Sequence, residues 1–270
     1  MKISMPTMIA KIVQKFGAGV KPQNHPFTEA MMKDGDTTPL TAEEKSVFQS
    51  LVMSLMFPMR LVRIDISFHT TWLSTFSSRP TRHHLKLAKQ LVGYLMATPD
   101  RGITHGGVID YFPTMVDLSA DGSHALHEDG RGHGMVIVLV NGIAVAWRSY
   151  KIPHVTLSTA ETELSPSSES VTWGIWGVQL CKDLGNPILR PIQLQQDNQS
   201  AIEMNAQGRA SFKRSKHILV RDEFITQHIN SGLVTQVWTP TSEMLADIGT
   251  KPLPWPQLKY LLSKLGMDVD

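Results

Sequence analysis

The sequence is poor in three things, and each shortage excludes something. It holds a single cysteine, Cys181, among 270 residues. No disulfide can close within it, and no multi-cysteine zinc site can form. A chain without disulfides suits a reducing compartment, so an intracellular location is expected, in a cytoplasmic particle or the nucleus rather than in a secreted form. Long hydrophobic runs are missing too. No stretch approaches ~18 consecutive apolar residues, so no transmembrane helix and no membrane partner are expected. The opening MKISMPTMIAKIV lacks a long apolar stretch and a small-residue cleavage site, and reads as a poor signal peptide. The third shortage is charge of one sign. Lys and Arg number 26 against 24 Asp and Glu, a formal net charge of +2, so any polyanion must be met by a local patch rather than by an overall field. What is present, 41% hydrophobic and 19% charged residues, is the composition of a chain that folds around a core.

The pattern changes character near residue 103. Before it, a helix is expected over about Pro6 to Phe16. A Pro-, Thr- and Asp-rich loop follows over 21–45, then helical spacing from Thr41 to about Thr98. In TRHHLKLAKQLVGYLMATPDRG, Leu87, Leu91 and Leu95 share one face, with basic residues elsewhere. After it, MVDLSA reads as a strand, with Asp121 at its end. GMVIVLVNGIAVAW reads as two more, joined by Asn141-Gly142, a pair that readily takes the positive φ of a two-residue hairpin turn. A long helix follows, N-capped by Ser158 or Thr159 and leaving at Gly185. Pro166 falls inside it. Proline is tolerated only in a first turn, so the helix is expected to begin nearer residue 162 than 158, or else to displace the carboxylates beside the proline. PIQLQQD is a fourth strand, NQSAIEMN a short helix, KHILVRDEFITQHINSG a helix ending at Gly232, and LVTQVW a fifth strand. TSEMLADIGTK is expected to open another helix after Pro240, and WPQLKYLLSKLG closes the chain. The order from residue 115, β-β-β-α-β-α-α-β-α, implies an α/β fold with a mixed five-stranded sheet and flanking helices.

On this skeleton Asp121, Glu161, Glu163, Asp197 and Asp247 fall at strand ends and helix starts. Such positions can converge at one rim of a sheet, where loops carry function. Carboxylates brought together repel unless a cation sits among them. Oxygen-only ligation suits magnesium, and two such ions can clamp the attacking and leaving oxygens of a phosphodiester displacement. Each acid also has a structural reading. Asp121-Gly122 is a common turn pair, Glu161 and Glu163 suit a helix N-terminus, Asp197 can cap the next helix, and Asp247 can be a solvated helix residue. Spacing alone leaves both readings open.

The wording around the acids is more specific. TLSTAETEL, QQDNQSAIEM, KRSKHILVRDEFI and VWTPTSEMLADIGTKPLP resemble the ribonuclease H domain of copia-type retrotransposon Pol polyproteins. ISMPTMIAKIVQKFG, SLVMSLMF, RIDISF and HHLKLAKQLVGYLMATPDRGI resemble the end of the reverse transcriptase of the same polyproteins. The resemblance implies a mostly helical thumb and connection remnant over 1–104, a ribonuclease H-like domain over 105–255 and a C-terminal helix or tail over 256–270. It implies metal-binding, catalytic roles for Asp121, Glu163, Asp197 and Asp247, with Glu161 a neighbour and Asp117 a solvent-face strand residue. The implied cofactor is a pair of Mg2+ or Mn2+ ions. The implied reaction is cleavage of the RNA strand of an RNA/DNA hybrid by metal-activated water, and the implied partners are that hybrid and other Pol or capsid components.

His217, in KHILVR, either assists at the metals or packs against the sheet. Lys213, Arg214, Lys216 and Arg221 form a basic cluster where backbone phosphates could dock, or an ordinary solvated surface. Trp147, Trp173 and Trp176 are assigned to the core, as is Cys181. The sequence departs from the family pattern at Pro166, at Leu219 where an acid is usual, and in the shortened HALHEDGRGHG segment. It has no aromatic-x-Asp-Asp run, so no polymerase activity is expected. The alternatives to a nuclease are an inactive remnant that at most binds nucleic acid and a scaffold without chemistry.

Overall fold

The computed structural model describes residues 1–33, 35–104, 114–188, 190–198, 202 and 216–269, with backbone alone at 216–219. The chain forms two compact units, Met1–Gly106 with Lys251–Asp270, and Gly107–Thr250.

The first unit opens with a short strand β1 (Lys2–Ile3) and helix α1 (Pro6–Phe16), which places Pro6 where a helix lacks N–H partners anyway. Ile9, Ile12 and Phe16 give α1 a buried stripe. A short α2 (Glu29–Lys33) precedes α3 (Ala42–Leu61). Thr41 starts α3 with a capping box: its hydroxyl accepts from Glu44 N at 3.2 Å, and Glu44 Oε2 accepts from Thr41 N at 3.0 Å. After a 3-10 turn come α4 (Ser67–Ser74), α5 (Arg82–Ala97) and β2 (Ile103–Thr104), which pairs antiparallel with β1. Leu87, Leu91 and Leu95 are buried on α5 as their spacing predicts. Arg63 and Asp65 are both fully buried. The guanidinium donates to both carboxylate oxygens, Nε to Oδ1 at 2.9 Å and Nη2 to Oδ2 at 2.8 Å, and also to Thr98 O and Oγ1 at 3.0 and 2.8 Å.

The second unit is the mixed five-stranded sheet with its helices. Its strands are β3 (Val116–Ser123), β4 (Arg131–Val140), β5 (Ile143–Val155), then, after the long helix α6 (Thr159–Asp183), β6 (Ile192–Gln196), and after α7 (Lys216–Asn230), β7 (Val234–Trp238). The spatial order is β5-β4-β3-β6-β7. Short connections make β3, β4 and β5 antiparallel, whereas the α6 and α7 crossovers make β6 and β7 parallel to β3. The β4–β5 turn has positive φ at both Asn141 (51°) and Gly142 (78°). Helix α6 lays Val171 and Cys181 over Leu118, Val138, Ile192 and Leu194. It does so closely enough that a Cβ on Gly174 would sit 2.9 Å from Leu118. A final helix, α8 (Trp255–Lys264), belongs to the first unit, where Thr104 N donates to Gly266 O at 2.7 Å.

Four sequence expectations are corrected. Strand β3 continues through Asp121 to Ser123 instead of stopping before it. Helix α6 begins at Thr159, so Pro166 lies well inside it. Trp176 is 50% exposed, while Trp147 is buried and Trp173 packs against the core. The helix expected after Pro240 is two 3-10 turns, Thr241–Glu243 and Leu245–Gly249, separated by an extended Met244. Pro252 and Pro254 disfavour helical backbone at the residues before them, and Gly249 is pressed onto Met135, whose sulfur would lie 2.3 Å from an added Cβ. The expected NQSAIEMN helix falls outside the described residues, Ile202 apart, which is helical.

Candidate metal centre

Three of the predicted acids meet. Asp121, Glu163 and Asp197 each offer a carboxylate oxygen, and these oxygens lie within 4.8 Å of one another. They come from β3, α6 and the end of β6, elements whose side-by-side placement follows from the parallel β3–β6 pairing.

Glu163 reaches the group although Pro166 follows it. Pro166 has no N–H, so the carbonyl of Thr162, four residues back, loses its intrahelical donor. That carbonyl faces Gly122: a Cβ there would come within 2.7 Å of Thr162 O. Strand and helix therefore approach at a glycine, and the Gly122 N–H donates to the Glu163 carboxylate. The start of the helix is fixed separately. Ser158 Oγ accepts from Glu161 N at 3.2 Å, and Glu161 Oε2 accepts from Leu157 N at 2.8 Å. Glu161 is thus a capping residue, and Glu163, two residues on, points about 200° around the helix from it.

The other two acids are also held. Thr250 Oγ1 donates to Asp121 Oδ2 at 2.5 Å, and Thr241 Oγ1 donates to Asp197 Oδ2 at 2.9 Å. Gln196, just before Asp197, is buried and ties β6 to α6 through a 2.5 Å hydrogen bond from its Nε2 to Ser167 Oγ. The sequence alone pointed to no role for Thr250, Thr241 or Gln196, and to Gly122 only as half of a turn pair. Thr250 lies inside the quoted LADIGTK wording, but nothing in that wording says which acid its hydroxyl would meet.

Asp247 is buried in the turn Leu245–Gly249 and stands outside the three-acid group. Its turn is clamped to the sheet: Ala246 N donates to Ser119 Oγ at 3.1 Å, and Ser149 Oγ donates to Gly249 O at 2.8 Å. Ser149 is itself the end of a buried chain. Its hydroxyl lies 2.8 Å from His133 Nε2, and His133 Nδ1 lies 3.0 Å from His127 Nε2. Because Ser149 must donate to a carbonyl, His133 carries its proton on Nε2 and His127 donates to His133 Nδ1. Burial lowers both imidazole pKa values, that of His127 to about 4.

Charge makes the three-acid group unusual. Burial first, then Asp121 and Asp197, hold the Glu163 carboxyl well above its ordinary range, and the Gly122 N–H opposes them only in part. Like charges, two of them buried and one partly buried, supplied entirely by oxygen donors fit a hard divalent cation. Lys213, Arg214 and the side chains of Lys216 and His217 lie outside the described residues. Arg221 is described, and its Nη1 donates to His154 Nε2 at 3.0 Å. Asp117 is partly buried and pairs with Arg190 at 2.6 Å. No described helix is long and apolar enough to cross a membrane.

No protein-family model matches the chain. Among curated proteins it is similar to the retrovirus-related Pol polyprotein from transposon RE1 of Arabidopsis thaliana, 29% identical over 82% of this chain and 15% of the relative. It is also similar to the retrovirus-related Pol polyprotein from transposon TNT 1-94 of Nicotiana tabacum, 26% identical over 98% of this chain and 20% of the relative. The chain therefore spans a fifth or less of the length of these relatives. Among solved structures, LC11-RNase H1 in complex with an RNA/DNA hybrid is similar at a TM-score of 0.38 and 13% identity, covering 50% of this chain and 93% of that one. Along most of its length, the chain is a relative of the retrovirus-related Pol polyproteins of copia-type transposons.

Proposed function

We propose that the second unit is a ribonuclease H that hydrolyses the RNA strand of RNA/DNA hybrids with two magnesium or manganese ions. The observation that carries this reading is the mutual approach of Asp121, Glu163 and Asp197 to within 4.8 Å. Asp247 is assigned as the fourth acid; it lies outside the group of three but in the turn that leads to Thr250, whose hydroxyl donates to Asp121. When bound, the divalent ions neutralise the charge that builds on the phosphodiester and favour hydroxide over water near neutral pH.

The chain's own residues hold the carboxylates in place. Thr250 donates to one oxygen of Asp121 and Thr241 to one oxygen of Asp197, so the second oxygen of each would be the one to hold a cation. The Gly122 N–H orients Glu163. Hydroxyl and amide donors of this kind hold a carboxylate without adding charge, so the site keeps its full demand for cations. The hybrid's backbone phosphates dock on the basic cluster of Lys213, Arg214, Lys216 and Arg221, RNA is distinguished by its 2′-hydroxyls, and His217 assists at the reacting phosphate.

The test is cleavage of an end-labelled RNA/DNA hybrid by the full chain with Mg2+, beside Asp197→Asn and an all-DNA duplex. Cleavage of the RNA strand alone, abolished by the substitution, is expected. Hybrid binding without cleavage would overturn the nuclease reading and leave a binding remnant.

A further inference from the structure

On the second unit, β5, α6 and α7 enclose an open cavity of about 410 Å³. Helix α6 lines it with Ser165, Ser168, Glu169 and Thr172, the i, i+3, i+4, i+7 spacing of one helix face. Glu163 lies two residues before Ser165, about 200° around the helix, so the cavity and the acid centre use different faces of α6. Strand β5 contributes Arg148, Tyr150 and Lys151, and α7 contributes Arg221. Three cationic side chains thus line the cavity beside one carboxylate, Glu169, with Lys151 also paired to Asp129 at 2.6 Å.

Two details make this more than a basic surface. Tyr150 is only 9% exposed, and its buried hydroxyl lies against Glu169 and Ser165 without a well-formed hydrogen bond to either. A buried hydroxyl so loosely paired gains from a better-placed acceptor, so one arriving in the cavity would be favoured there. The phenol is a secure donor, because burial and then the Glu169 charge push its pKa up. Arg148 is also pre-positioned. Its guanidinium stacks 4.7 Å from the Tyr150 ring centroid and pairs with Glu169 at 2.6 Å. The remaining wall is apolar, from Pro153, Val220 and Phe224, a surface on which a sugar or base can rest.

We propose that this cavity is a nucleotide-phosphate site, separate from the acid centre. Arg148 and the Tyr150 hydroxyl hold the phosphate oxygens, Lys151 and Arg221 supply further positive charge, and the apolar wall takes the nucleoside. Glu169 is the internal competitor: it occupies Arg148 when no phosphate is present and repels one that arrives. The phosphate can come from a free nucleotide or from the backbone of a strand. The proposal does not depend on cleavage at the acid centre.

The experiment is calorimetric or NMR titration of the full chain, without divalent metal, with inorganic phosphate, adenosine 5′-monophosphate and a DNA dinucleotide bearing one internal phosphodiester. Both nucleotide probes are expected to bind more tightly than inorganic phosphate. Tighter binding of the dinucleotide assigns the site to a strand, and tighter binding of the monophosphate assigns it to a free nucleotide. Arg148→Ala should weaken binding about tenfold and Tyr150→Phe several-fold, each about the loss of one charge-assisted hydrogen bond. Glu169→Gln should tighten it several-fold. Tyr150→Phe removes a single loosely paired oxygen and keeps the ring, so it tests the site without threatening the fold. Absence of binding by all three probes would overturn the proposal, as would affinities that Arg148→Ala and Glu169→Gln leave unchanged.

Discussion

Replacing Glu163 by Gln should make the metal-free protein more stable at neutral pH and less responsive to magnesium. The three carboxylates approach within 4.8 Å. At an effective dielectric constant of about 20 to 40, two charges at that separation repel by about 1.7–3.5 kcal/mol. Neutralising Glu163 removes two such pairs, but the wild type already has a partial escape, since its raised pKa lets Glu163 take up a proton. That escape limits the gain. Folding raises the Glu163 pKa above its ordinary 4.5, so folded protein binds the proton more tightly than unfolded chain. Wild-type stability is complete below about pH 4.5 and declines as pH rises from there toward the folded pKa, by at most about 1.4 kcal/mol per unit. By pH 7 the accumulated penalty is at most about 3.4 kcal/mol, and the Gln variant avoids it. At about 2–4 °C per kcal/mol, Tm should rise, with a ceiling of roughly 7–14 °C. The assay is thermal unfolding followed by circular dichroism at pH 4.5, 6 and 7.5, with EDTA and with 10 mM-scale Mg2+. The variant should gain on the wild type as pH rises in EDTA, and Mg2+ should stabilise the wild type more than the variant. A variant less stable than wild type at pH 7.5 in EDTA would refute the argument, as would equal stabilisation of both by Mg2+.

Three further outcomes test the packing around the site and the first unit. Gly122→Ala should cost about 1–3 kcal/mol, because its Cβ would meet the backbone Thr162 O at 2.7 Å; chemical denaturation reads the loss, and it should come with weaker Mg2+-induced stabilisation. Asp65→Ala should cost about 3–5 kcal/mol by stranding the fully buried Arg63, whereas the double change Arg63→Met/Asp65→Ala should recover much of that in urea unfolding. Asp222 has a buried oxygen without a hydrogen-bond partner, and its pKa is raised to about 6, by burial and then by Glu223. It therefore destabilises the fold progressively as pH rises from about 4 to 6 and constantly above that. Asp222→Asn should gain about 1 kcal/mol at pH 7.5 after allowance for solvent screening, and nothing at pH 3.5.

The sequence by itself determined the elements that rest on local chemistry. Helix α1 begins at Pro6 and α5 buries Leu87, Leu91 and Leu95, because proline position and apolar spacing act within a few turns. The β4–β5 hairpin follows from Asn141-Gly142, since few other pairs accept two successive positive φ values. The wording around Asp121, Glu163 and Asp197 marked three acids that the fold gathers from positions far apart in the chain.

Tertiary contact decided the rest, and in each case the cause lies far off in sequence. Pro166 argued locally for a late helix start, yet α6 begins at Thr159 because packing on the sheet and the Ser158 cap outweigh one missing hydrogen bond. Local spacing suggested a helix through Asp247, but contact with Met135 and the prolines beyond it leave a 3-10 turn. The threonines that hold Asp121 and Asp197 meet them across 129 and 44 residues. Asp121 and Asp197 are common turn and cap residues until strand pairing sets them beside Glu163. Mutual repulsion exists only between groups the fold has already brought together, so the electrostatic strain that calls for a cation is a property of the folded chain.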